Sequence, residues 1–245
     1  MIICMIRIYE ADTALLPDEK AVLRNIVFLD EARKQKVWQC RNLEDKKRSL
    51  LAGYLIQAGV KEWMTEESGL QRSAKPLSLS YFYSEYGKPY LKGKENLYFN
   101  ISHSGNYVVC AFSDYEVGID IQIHKKWKVE LAQRFFSEED RELMERMPER
   151  DAADVFFHMW TVKEAYMKLT GEGMRQGLDA TVIEIQEKDN SRKEYPEQGR
   201  IRKKEEKGQG AYFKIYEEYD KISKYSMAVC SGRPLGEIQK KKICF

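Results

Sequence analysis

Residues 116–124 read EVGIDIQIH, with Ile119, Ile121 and Ile123 alternating with Asp120 and Gln122. That period of two marks a β-strand with one buried face. An ordinary half-exposed strand satisfies the pattern with no chemistry attached. The same spacing also points Asp120 and Gln122 one way, placing two oxygen donors about 6–7 Å apart along the backbone, as half of a site for a hard cation would require. The surrounding chain has to separate these readings.

Upstream, NLYFNISHSGNYVVCAFSDYEVGIDIQI (96–123) reads as strand, polar turn, strand, tight turn, strand, with antiparallel pairing expected along it. LSYFYSEYGKPYL (79–91) adds a strand and a Gly-Lys-Pro turn. DKKRSLLAGYLIQAGVKEWM (45–64) is a helix with an apolar stripe of Leu50, Leu51, Tyr54, Leu55 and Val60, and residues 17–39 form a basic helical stretch before it. The N-terminal MIICMIRIYE reads as a first strand; it lacks the basic start and small-residue cleavage site of a signal peptide.

Downstream, Ser137 is an N-cap for EEDRELMERM, and DAADVFFHMWTVKEAYMKLTGEG (151–173) is the strongest helix, stopped by Gly171 and Gly173. Strand-like runs follow at ATVIEI, AYFKIYEE and YSMAVC. Between the first two lies the charge-alternating 187–210, read as an exposed hairpin excursion. Each half thus runs strand, helices, strands. The expected fold is α+β, with two similar α/β halves (1–115 and 116–245) related by a pseudo-twofold, packed as one compact unit around a cleft.

Composition narrows the function. Lys plus Arg (41) nearly balances Asp plus Glu (39), so a net charge of +2 gives no reason to expect nucleic acid or an anionic membrane as partner. No run of 18 apolar residues is present, so no membrane span is expected. Five scattered cysteines without CxxC spacing argue against a disulfide framework or zinc site and fit a reducing cytoplasm; Cys244 is too near the end for a prenylation box.

Trp160, Glu164 and Lys168 are spaced i, i+4, i+8 along one helix face. A Glu four residues before a Lys is also a common exposed helix pair worth a few tenths of a kcal/mol. His103 lies in NISHSG, where Ser102, Ser104, Gly105 and backbone N–H groups make a polar cradle able to hold an anion; a lone turn histidine is equally a local hydrogen-bonding residue. Arg33, Lys36, Arg48 and Lys88 are either solvated surface or a set converging on phosphates. His124 and His158 lack such context and receive no role.

GKPY (87–90), FNISHSG (99–105), VGIDIQ (117–122) and WTVKEAYMKLTGEG (160–173), in this order, resemble the motifs of the Sfp-type 4′-phosphopantetheinyl transferases, and RSLLAG (48–53) resembles their N-terminal half. Each motif is weak alone; four in order and spacing, across nearly the whole chain, are specific. No Walker GxxxxGK[ST] or dinucleotide GxGxxG occurs.

The resemblance implies Mg²⁺-dependent transfer of the phosphopantetheine arm of coenzyme A to a serine of an acyl or peptidyl carrier protein, with release of adenosine 3′,5′-bisphosphate. By motif match, Asp120, Gln122 and Glu164 are expected to hold the metal, with Glu164 as base for the carrier serine and Lys168 on the leaving phosphate. Arg33, Lys36, Arg48, Lys88, Ser102, His103, Lys163 and Lys168 are expected to bind coenzyme A. Many relatives have Glu where this chain has Gln122, which removes one negative charge and implies weaker Mg²⁺ binding. A monomer is expected, with basic residues near the cleft steering an acidic carrier protein. The competing expectation is a non-catalytic module that binds coenzyme A or carrier protein.

Overall fold

The computed structural model describes residues 3–68, 75–173, 177–185, 195–206, 208, 210–220 and 222–243. The first half begins with β1 (Cys4–Asp12), followed by α1 (Glu19–Asn25), α2 (Glu31–Gln39) and α3 (Leu43–Ser68). The single stretch expected over 17–39 is therefore two helices. Asp30 divides them: its extended backbone leaves the first helix, and its carboxylate accepts from Arg33 N–H at 3.0 Å as an N-cap. A short hairpin of β2 (Tyr81–Tyr83) and β3 (Pro89–Leu91) precedes β4 (Tyr98–Ser104) and β5 (Tyr107–Ser113).

β6 (Val117–Ile123) opens the second half, followed by α4 (Val129–Phe135), α5 (Glu138–Glu145) and α6 (Ala152–Thr170). Ser137 caps α5, accepting from Asp140 N–H at 3.2 Å, and Gly171 ends α6 with a left-handed backbone at φ 74°. Then come β7 (Thr181–Glu184), β8 (Gln198–Lys203), β9 (Ala211–Tyr219), β10 (Lys224–Ser231) and β11 (Leu235–Lys242).

Two main sheets result, ordered β11-β1-β5-β4 and β6-β10-β9-β8-β7. β4 pairs with β5 as an antiparallel hairpin, but β6 does not pair with β5; it turns into the second sheet and pairs with β10. The antiparallel run expected over 96–123 therefore breaks at the tight turn before β6. Part of the expected 187–210 excursion is the ordered strand β8, held between β7 and β9; residues 187–194, 207 and 209 lie outside the described residues.

Alternation explains the layers. One face of the first sheet packs Tyr9, Phe99, Cys110 and Phe112 on α1–α3, where Leu50, Leu51, Leu55 and Val60 are wholly buried. Each such leucine contributes about 1.5–3 kcal/mol relative to an exposed one. Its other face meets the second sheet through Ile6, Ile8, Val109, Ile119, Ile121, Met227 and Val229. The far face of the second sheet, with Phe213, Ile215, Ala228 and Cys230, packs on α4–α6.

β11 was not legible in the sequence, and it crosses the division at 115/116. It runs parallel to β1 as the edge of the first sheet. Its Lys240, Lys241 and Lys242 pair with Glu218, Glu62 and Glu10, charges that protect an open edge from pairing with other chains. Among the described residues no helix is long and apolar enough to cross a membrane, and Cys4, Cys40, Cys110 and Cys230 are free thiols.

Candidate active site

Gly118 sets the distance between the two elements that carry the site. A Cβ there would lie 2.0 Å from the Ala165 carbonyl oxygen and 2.5 Å from Leu169 N, so only glycine lets α6 lie directly on β6. Asp120, two residues on, then faces α6. Between Val155 and Leu169 the helix is buried on nearly every side; only Trp160, Glu164 and Lys168 are partly open. That i, i+4, i+8 stripe is the helix's contribution to a cleft.

The cleft has two lobes that share Ile101, Glu164 and Lys168. One, of about 380 Å³, is lined by Ser102, His103, Asp120, Gln122 and Trp160. The other, of about 290 Å³, runs over Tyr86, Gly87, Lys88 and Pro89 of the hairpin turn to Gly171. A larger cavity of about 750 Å³ shares no residue with the cleft, and its His158, Glu217 and Lys224 are already paired with one another or with Asp154.

Asp120 is buried, and its Oδ1 accepts from Lys168 Nζ at 2.6 Å and from Ser102 Oγ at 2.7 Å. Lys168 Nζ also donates to Ser102 Oγ at 2.8 Å. Among the described residues, no hydrogen bond or ion pair engages the Glu164 carboxylate. Burial raises its pKa, the Asp120 charge raises it further, and Lys168 opposes both. Gln122 donates its amide to the Ile123 carbonyl at 3.3 Å and lines the same lobe as Asp120.

His103 belongs to β4, not to a turn; the reversal is Gly105–Asn106, with Gly105 at φ 54°. Its imidazole pKa is lowered by enclosure in protein and then by the charges of Arg48 and Lys168, so the ring is neutral near pH 7. Arg48 donates to the Gly105 carbonyl at 3.1 Å and pairs with Asp45 at 2.5 Å.

Four of the expected coenzyme A residues stand differently. Lys163 is the clearest correction. It is fully buried, with Nζ 2.5 Å from Asp140 Oδ2 and donating to the carbonyls of Leu178 and Thr181 at 2.9 and 2.7 Å. One residue along a helix is a turn of about 100°, so Lys163 faces away from the cleft that Glu164 enters. Arg33 is buried against α3, where Nη2 donates to the Ser49 carbonyl at 2.9 Å and Nε has no hydrogen-bond partner among the described residues. Lys88 lines the second lobe, but its ammonium is held by Glu116 and by the Leu169 carbonyl at 2.8 Å. Lys36 is exposed, 5.2 Å from the centre of the Tyr83 ring. Sequence reasoning missed Glu116 and Tyr90, whose hydroxyl donates to Glu116 at 3.0 Å and completes the hold on Lys88. Tyr90 ends the GKPY motif, but nothing in that motif points to Glu116, 26 residues on.

The lobe around Asp120 offers two carboxylates and an amide carbonyl, oxygens that a hard cation prefers, beside the His103 imidazole. Among the described residues no group of three His, Cys, Asp or Glu converges at metal-binding distance. Asp120 and Glu164 would supply two oxygen ligands to a hard cation, too few to hold it alone. Glu164, without a partner and raised by its like-charged neighbour, is the group such a cation would relieve.

A profile described as the 4′-phosphopantetheinyl transferase superfamily matches residues 116–230, and one described as the N-terminal part of 4′-phosphopantetheinyl transferase matches 15–114. The chain is 30% identical to a 4′-phosphopantetheinyl transferase of Bacillus subtilis over 212 residues, 86% of this chain and 85% of the relative. It is 32% identical to the transferase psf-1 of Bacillus pumilus, covering 84% and 80%. A third relative, the transferase HetI of a Nostoc species, is 33% identical over 133 residues, about half of each chain.

Proposed function

The chain belongs to the 4′-phosphopantetheinyl transferase superfamily, a family of transferases, and on that premise we propose that it moves the 4′-phosphopantetheine arm of coenzyme A to a serine of an acyl or peptidyl carrier protein. The observation that carries the reading is the meeting of Asp120, Glu164 and Lys168 in one cleft that shares Ser102 and His103.

The serine oxygen attacks the phosphorus that bears the pantetheine arm. The bond from that phosphorus to the bridging oxygen breaks, and adenosine 3′,5′-bisphosphate leaves with the electron pair. Glu164 takes the serine proton as general base; without a bound cation, burial and the Asp120 charge raise its pKa. Lys168 meets the charge that grows on the leaving phosphate. Asp120, Glu164 and the Gln122 oxygen would hold Mg²⁺, which when bound neutralises phosphate charge.

Residues 1–115 supply the anion-binding elements, and residues 116–245 the base and metal ligands. Ser102 and His103 line the lobe that would take the phosphates and Lys88 lines the adjoining lobe; Arg48 and Lys36 would reach them from outside the two lobes. A neutral His103 serves there as a hydrogen-bond donor.

The test is release of adenosine 3′,5′-bisphosphate from coenzyme A, followed by chromatography with and without an apo carrier protein. Release that needs the carrier supports transfer. Tight coenzyme A binding with no release, across several carriers, means a binding module instead.

A further inference from the structure

β6 is the edge of its sheet, and the backbone N–H groups of Ile119, Ile121 and Ile123 face no neighbouring strand. Each is met by a side chain of β4. Asn100 Oδ1 accepts from Ile119 at 3.1 Å, Ser102 Oγ from Ile121 at 3.3 Å, and Ser104 Oγ from Ile123 at 3.0 Å. The separation is 19 residues at every rung, so the two strands run in step. A side-chain rung is longer than a main-chain one, so the two strands are locked in register across a wider gap than main-chain pairing gives.

The middle rung touches the chemistry. A serine hydroxyl has one donor and two acceptor sites, and Ser102 uses all three. It donates to Asp120 Oδ1 and accepts from Ile121 N–H and from Lys168 Nζ. A slip of β4 along β6 would break this set, and displacements near 1 Å are enough to slow a reaction about a hundredfold. We propose that Asn100 and Ser104 are positioning residues for the transfer reaction: their outer rungs fix the register of β4 on β6 and so hold Ser102 on Asp120 and Lys168. This rests on the reading of Asp120 and Lys168 as working residues of the site.

A purely structural role is the competing explanation, since an unpaired buried N–H costs about 1–3 kcal/mol wherever it lies. Ser104 separates the two, because it lines neither lobe of the cleft. The experiment measures kcat, the KM for coenzyme A, and amide hydrogen exchange in Ser104→Ala and Ser104→Thr, with Asp120→Asn as control. Ser104→Ala should lower kcat about five- to tenfold with KM within about twofold, and speed exchange at Ile121 as well as Ile123. Ser104→Thr, which keeps the acceptor, should restore both. If Ser104→Ala does not fold, Ser104→Cys replaces it, and its weak acceptor should give an intermediate loss.

Wild-type kcat in Ser104→Ala, with faster exchange confined to Ile123, overturns the proposal, as does an equal kcat loss in Ser104→Thr. Asp120→Asn keeps the failures apart. If it abolishes turnover while Ser104→Ala has none of the expected effect, the ladder alone is wrong. If it turns over like wild type, the reading of the site falls and the ladder's role with it.

Discussion

Lys168 Nζ lies 2.6 Å from Asp120 Oδ1, tying the last turns of α6 to the middle of β6 across the cleft floor. The pair joins the strand motif at 117–122 to the helix motif at 160–173, and Gly118 makes it possible by letting the helix touch the strand. It also leaves Glu164 as the carboxylate whose charge is least compensated. On the proposed function, a cation would relieve Glu164 and a phosphate would draw Lys168 from Asp120.

Glu164→Gln is expected to lower kcat about a hundredfold or more while coenzyme A affinity stays within a few-fold, since a base acts in the transition state and not in binding. Without a bound cation, burial and the Asp120 charge raise the Glu164 pKa; Mg²⁺ held by Glu164 would lower it, so the rising limb of the kcat–pH profile should move to lower pH as Mg²⁺ is raised. Isothermal titration and a pH–rate profile check both. Wild-type turnover in the variant removes Glu164 from the role of base.

Gln122→Glu restores the charge that the amide lacks. The Mg²⁺ midpoint of turnover should fall severalfold, since affinity follows ligand charge. An unchanged titration puts position 122 outside the metal's ligands.

Lys163→Met should act on stability and not on binding. Breaking a fully buried ion pair costs about 3–5 kcal/mol, because Asp140 is left charged without its partner. Urea unfolding should show that loss, while coenzyme A affinity of the folded protein stays unchanged. A large loss of affinity at wild-type stability would return Lys163 to the ligand site.

His124 and His158 give the fold a pH dependence. Burial pushes the His124 pKa down to about 4, opposed by Asp154 and aided by Lys224 and His158; burial lowers His158 as well, opposed by Glu217. A depressed folded pKa gives stability that is present above the unfolded value near 6.5 and is lost as pH falls toward 4. After solvent screening His124 should contribute about 1–2 kcal/mol over that window. Urea midpoints at pH 7 and pH 5 should therefore differ less in His124→Gln than in wild type, and equal differences would refute it.

The elements that carry the site were legible because their signals are local. The alternation of Ile119, Ile121 and Ile123 marks β6 wherever the strand pairs, and the glycine stop and the 160–164–168 stripe mark α6. Pairing was not legible. Nothing between Ser113 and Val117 says that β6 leaves the first sheet, and nothing in LGEIQKKK says that it returns to pair with β1. Lys163 was misplaced for a related reason: adjacent residues in a motif share a name but not a helix face, and Asp140, which fixes its direction, is 23 residues away in α5. The serines of NISHSG read as an anion cradle, whereas their oxygens are largely committed to β6.

The most direct test of carrier modification is the intact mass of an apo carrier protein after incubation with this protein, coenzyme A and Mg²⁺, beside an EDTA control. A gain of one phosphopantetheine group, abolished by EDTA, is the expected result. An unchanged mass across acyl and peptidyl carriers, in a preparation that still binds coenzyme A, would contradict it.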